Sequence, residues 1–161
     1  MQNSSVKLIW KKNFLSGTHN IYENNQPVGE LNNNCFSNSS EGVFKQKRYK
    51  FKSKGFFNQR TEIIDLSDGN IIGDITYNSW FNEAKIRLHK DILNFKTDNI
   101  WCTKWSVYNY DNTKIEYKNT FAGGEIISNV KSELPILCGL YVINYYWQIM
   151  LIILILVIVI L

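Results

Sequence analysis

The sequence predicts an all-β fold with one C-terminal α-helix, arranged as a closed antiparallel barrel of about twelve strands plugged by that apolar helix. Three observations predict it. Residues 5 to 128 are a succession of short stretches in which apolar and polar residues alternate. Asn, Asp, Gly and Ser interrupt these stretches at intervals of about 8 to 12 residues. No charged residue occurs from Leu134 to Leu161. A chain of 161 residues has room for one domain with a sizeable core. Ten to twelve short strands are too many for a flat open sheet in such a chain, so closure is expected.

In chain order, Ile21-Tyr-Glu-Asn-Asn-Gln-Pro-Val-Gly-Glu-Leu31 reads as two strands around a polar turn that includes Pro27. Ile63 to Gly73 and Val107 to Ile115 repeat this unit, because Asn, Asp and Gly at their centres tolerate positive φ. From Glu83 to Leu88 the alternation is strict: Ala84, Ile86 and Leu88 take a core face, and Glu83, Lys85 and Arg87 a solvent face. After a two-residue turn at His89-Lys90 the inward positions continue with Leu93 and Phe95, then Trp105 and Val107, then Ile115 and Tyr117. Helical periodicity is missing before residue 130.

The final helix is expected to begin near residue 133. Ser132 suits the N-cap, Glu133 suits the positive end of the helix dipole, and Pro135 falls in the first turn, where a missing N–H costs nothing. As one helix, 134–161 would be about 42 Å long. Leu134 to Gln148 contains Gly139, Asn144 and three tyrosines, whereas Ile149 to Leu161 is aliphatic apart from Met150. A wall of tilted eight-residue strands stands some 20–25 Å high, about the length of fifteen helical residues. The domain is therefore expected to cover 1–148, with Leu137, Gly139, Val142, Ile143 and Tyr146 on the plug, and 149–161 to continue into a membrane. A second arrangement stays open: a sandwich or meander with 134–161 as a transmembrane anchor, in which Tyr141, Tyr145, Tyr146 and Trp147 form an interfacial belt.

The strand-turn-strand units Ile63 to Gly73 and Trp105 to Ile115, with the closing stretch Leu137-Cys-Gly-Leu-Tyr-Val-Ile-Asn-Tyr-Tyr146, resemble the tubby-like superfamily. That superfamily includes tubby C-terminal domains, LURP-one-related proteins and phospholipid scramblases, and the likeness covers about residues 20 to 148. It implies a twelve-stranded barrel around a central helix, no enzyme chemistry, and association with membrane phosphoinositides or other phospholipids. The chain departs from scramblases in lacking a cysteine-rich palmitoylation cluster and a proline-rich N-terminus.

Phe44 to Arg60 holds seven Lys and Arg and no acid. In strand phase Arg48, Lys50, Lys52 and Lys54 share one face about 6.7 Å apart. With Phe56 and Phe57 beside them, these four are the candidate anionic-lipid site. The competing explanation is a solvated outer face whose lysines guard an edge strand against aggregation. His19 and His89 sit in isolated, turn-like contexts without a nucleophile motif or phosphate loop, so no catalytic residue is assigned. Asp65, Asp68 and Gly69 read as a hairpin turn rather than a calcium loop, whose later ligands are missing. Trp10, Phe14, Trp80, Phe81, Trp101 and Trp105 either line a ligand cavity or build the core; a plug helix would exclude the cavity.

Cys35, Cys102 and Cys138 are too far apart for a metal motif, odd in number, and suited to a reducing compartment. The net charge of +4 is too modest to favour nucleic acid. The first residues lack the apolar core of a secretory signal, so the body is expected on the cytoplasmic side. The expectation is thus a non-enzymatic, membrane-associated module without cofactor, whose partner is phospholipid or an unknown protein.

Overall fold

The computed structural model describes residues 5–13, 15–33, 38–54, 60–89 and 91–160. Phe14, Cys35, Phe56, Phe57 and Lys90, singled out above, lie outside the described residues. Twelve strands precede one helix. They are β1 (Val6–Lys12), β2 (Thr18–Glu23), β3 (Gln26–Asn33), β4 (Ser39–Phe44), β5 (Lys47–Lys54) and β6 (Arg60–Asp65), then β7 (Ile71–Tyr77), β8 (Glu83–Leu88), β9 (Asp91–Thr97), β10 (Lys104–Tyr108), β11 (Lys114–Thr120) and β12 (Gly123–Ser128). The helix is α1 (Glu133–Ile160).

Each strand pairs antiparallel with its sequence neighbours, and β1 pairs with β12 from Val6↔Ser128 to Lys11↔Gly123, closing the barrel. Closure satisfies the backbone of every strand and leaves no edge. The edge-strand explanation for the lysines of β5 therefore fails: β5 is paired on both sides, with β4 and β6.

Because all connections are hairpins, the loops fall alternately at two mouths. Leaving β12 at Ser128, the chain turns and sends α1 in at the mouth that holds the β4–β5 and β10–β11 turns. There Lys47 binds Glu133 at 3.3 Å, a contact that also places an acid at the helix N-terminus. The helix leaves at the other mouth, where the Tyr146 hydroxyl donates to the Glu83 carbonyl at the start of β8. Leu134 to Asn144 and Tyr146 are buried; Tyr145 and Trp147 to Ile149 are half-buried; everything from Met150 to Ile160 is exposed. A helix ringed by wall needs no polar stripe, which is why its first half is apolar on every side.

The inner faces of the strands meet the plug residue by residue. Leu137 packs over Gly42 and Leu31 in the wall, and Gly139 lies against the Tyr117 ring. Tyr141 stacks on Phe51 with centroids 4.5 Å apart, and its hydroxyl lies 2.9 Å from Ser53 Oγ. Tyr146 meets Phe81 and Phe95 edge-on. Val142 and Ile143 are fully enclosed.

Two local expectations are corrected. Pro27 is the second residue of β3, opposite Tyr22, where the register shifts at a bulge; Asn24 and Asn25, both at positive φ, make the turn by themselves. His19 belongs to β2 and is buried beside the Trp10 ring, 5.4 Å between centroids, instead of lying in a turn. The β4–β5 turn uses Lys45 and Gln46 at φ 46° and 72°, residues that carry no turn signature.

Candidate functional site

The cation row on β5 exists, because Tyr49 and Phe51 point into the barrel and their neighbours point out. Register decides what it can do. Arg48 and Lys50 both approach Glu41 of β4, at 3.6 and 3.9 Å, and Lys54 holds Glu62 of β6 at 2.5 Å. Of the four, Lys52 alone makes no ion pair among the described residues. Acids supplied from the adjoining strands thus neutralise much of the excess read from one segment.

The candidate aromatics separate into two groups. Trp10 and Trp105 are enclosed in the wall, Trp105 stacked on Tyr117 at 5.2 Å, and the plug fills the space a ligand would need. Trp80 and Trp101 are exposed on loops at the exit mouth, and Phe81 is half-buried against Tyr146. The helical aromatics are likewise not a free belt. Tyr141 and Tyr146 belong to the core, Tyr145 stacks on Tyr77, and Trp147 lies edge-on to Trp105 with the Lys12 ammonium 5.2 Å above its ring.

Among titratable groups, His19 stands out. Burial, helped by the nearby Lys12 charge, lowers its pKa from 6.5 to about 4. The Asn33 side-chain amide donates to Nδ1 at 3.2 Å, so the neutral ring carries its proton on Nε2. Between pH 6.5 and 4 the unfolded chain binds a proton that the folded barrel refuses, so stability is expected to fall with pH across that window, by about 3 kcal/mol in all. Urea melts of His19→Leu should show a flatter profile from pH 6.5 to 4; an unchanged slope would mean another group titrates. Asp65 and Asp68 cap the backbone N–H groups of Ser67 and Asn70 in the β6–β7 turn, and His89 is exposed in the β8–β9 turn. Cys102 and Cys138 are buried thiols. Among the described residues no cluster of His, Cys, Asp or Glu has the geometry of a metal site.

The remaining feature is the exit mouth with the helix that leaves it. From Met150 to Ile160 the aliphatic side chains are open on all sides, and α1 as a whole is long and apolar enough to cross a membrane by length and composition. Met150 also lines an open groove of about 530 Å³ with Trp80, Phe81, Ile100 and Cys102.

The chain matches no family model, no curated protein and no solved structure. At the exit mouth, loop residues that looked like core in the sequence join the exposed turns of the helix.

Proposed function

We propose that this protein is a non-enzymatic, membrane-associated barrel module, kin to the tubby-like superfamily, that holds its body against the cytoplasmic face of a membrane and binds anionic phospholipid or serves as a scaffold there. One observation carries the reading: α1 is a single helix with two environments, its first half enclosed by the barrel and its aliphatic second half bare from Met150 to Ile160. An exposed apolar surface of that extent is a liability in water and favourable in hydrocarbon. The eleven exposed residues rise about 16 Å, about half the thickness of a bilayer core. The arrangement of twelve strands around a central helix is what supports the kinship.

With Leu134 to Asn144 and Tyr146 enclosed, the segment 134–161 cannot lie wholly in lipid in this fold. Partner-protein binding through the bare turns is the alternative class. Replacing Ile152, Leu156 and Val159 by Asn in the full chain is expected to move the protein from the membrane pellet to the soluble fraction while leaving its thermal melt unchanged. Recovery of the wild-type chain in the soluble fraction, free of membrane, would overturn the proposal.

A further inference from the structure

Three loops at the exit mouth share one design. In the β7–β8 loop, Asn78 Oδ1 accepts from the backbone N–H of Asn82, Phe81 sits at φ 55°, and Trp80 is 85% exposed. In the β9–β10 loop, Asn99 Oδ1 accepts from the N–H of Thr103, Cys102 sits at φ 52° with its side chain buried, and Trp101 is 79% exposed beside Ile100 at 87%. In the β1–β2 loop, Asn13 Oδ1 accepts from Leu15 and Ser16, Gly17 closes the turn at φ 71°, and Leu15 is fully exposed. Each time an asparagine braces the loop and a residue in the left-handed region turns the chain, and the apolar side chain two positions after the asparagine is thrown outward. A left-handed φ at Phe81 and Cys102 carries strain that a bulky side chain rarely bears. Phe121 in the β11–β12 loop, 95% exposed, completes the group.

The opposite mouth is built from Asn24-Asn25, Lys45-Gln46, the 66–70 turn, His89 and the 109–113 turn, with Tyr110 as its one fully displayed aromatic among the described residues. Ion pairs occur toward both mouths, with Lys54–Glu62 and Lys96–Glu83 toward the exit. Toward the opposite mouth Lys45 holds Glu23, Lys47 holds Glu133 and Lys114 holds Glu116. Toward the exit mouth the exposed Lys52, Lys85, Lys104 and Lys118, on four different strands, make no ion pair among the described residues.

Resting on the reading above, we infer that Leu15, Trp80, Ile100, Trp101 and Phe121 form a collar that seats in the headgroup layer of an anionic leaflet around the inserted helix, with the lysines of the rim facing the lipid phosphates. Tryptophan favours the water–hydrocarbon boundary, and cations just outside it gain from anionic lipid. The occupant is a lipid surface rather than a protein groove for two reasons: the collar is continuous with the bare helix through Met150, and the exposed lysines without ion pairs come from four strands, β5, β8, β10 and β11, rather than from one. The collar fixes orientation, holding the opposite mouth away from the membrane.

The test uses the full chain on phosphatidylcholine vesicles with and without phosphatidylserine. Brominated lipid, with bromine near the headgroups, should quench the wild-type tryptophan emission, and Trp80→Phe/Trp101→Phe should lose most of the quenched fraction while still floating with the vesicles. Trp80→Asp/Trp101→Asp should weaken flotation about tenfold or more, whereas Tyr110→Asp at the other mouth should not. Charge removal at Lys85, Lys104 and Lys118 should erase the preference for phosphatidylserine. Flotation with unquenched Trp80 and Trp101, or flotation indifferent to the aspartates, would overturn the collar and leave membrane association standing. A wild-type chain that does not float at all would overturn both. The substituted side chains are exposed, so circular dichroism melts should match wild type and exclude misfolding as the cause.

Discussion

A chain ending at Glu133 is expected not to fold. It would keep all twelve strands and every hairpin turn but lose the side chains that fill the barrel. Each fully buried Leu, Ile or Val contributes about 1.5–3 kcal/mol, so Leu134, Ile136, Leu137, Leu140, Val142 and Ile143 together exceed about 9 kcal/mol, before the tyrosines are considered. A domain of this size has a total stability of about 5–15 kcal/mol. The wall would also face water with Leu31, Phe51, Ile63, Phe95 and Tyr117 uncovered. A chain ending at Gln148 keeps every buried residue of α1 and is expected to fold. Circular dichroism and urea melts of the two truncations decide the matter; a cooperative transition in the shorter one would show that the sheet closes on itself without the plug.

Gly139→Ala is the second large effect, and its sign is opposite to the usual one. In an exposed helix the change would stabilise by about 1 kcal/mol. Here a Cβ at position 139 would lie 2.3 Å from the Tyr117 hydroxyl oxygen and 2.4 Å from its Cζ. The ring cannot swing clear easily, since it stacks on Trp105 and its hydroxyl donates to the Ile136 carbonyl at 3.0 Å. A loss of about 1–3 kcal/mol is expected for Ala, with failure to fold for Trp. Combining Gly139→Ala with Tyr117→Leu, which removes the obstructing ring, should cost clearly less than the sum of the two single changes. Strict additivity in urea melts would mean that the glycine is needed for some other reason.

Much of the fold was legible because a barrel strand repeats every two residues and this one faces two unlike media. The alternation Ala84, Ile86, Leu88 against Glu83, Lys85, Arg87 assigns β8 directly, and the unbroken apolarity from Leu134 marks a helix walled on all sides. Turns without a chemical signature were not legible. Lys45-Gln46 holds positive φ only because β4 and β5 compel it, and the ion pairs that blunt the β5 cation row need the register with Glu41 and Glu62. The tryptophans were the sharpest ambiguity: Trp105 and Trp101 are four residues apart, yet one is sealed in the wall and the other is in solvent. A signal for the difference was present in the paired asparagines, since Asn78 and Asn99 each precede an exposed Trp by two residues and bond to the residue four ahead. Single asparagines are so common in turns that only their joint position at one mouth gives them meaning.

After Gly139 no glycine or proline interrupts α1, so the plug and the bare turns form one rod without a hinge. Its inner end is clamped by the Phe51–Tyr141 stack and the Tyr146–Glu83 hydrogen bond. Any torque on the outer turns passes undamped to the wall, and the whole barrel inclines with them. A flexible tether would let the body wander over its support; a rigid shaft makes its attitude a readout of whatever grips the other end.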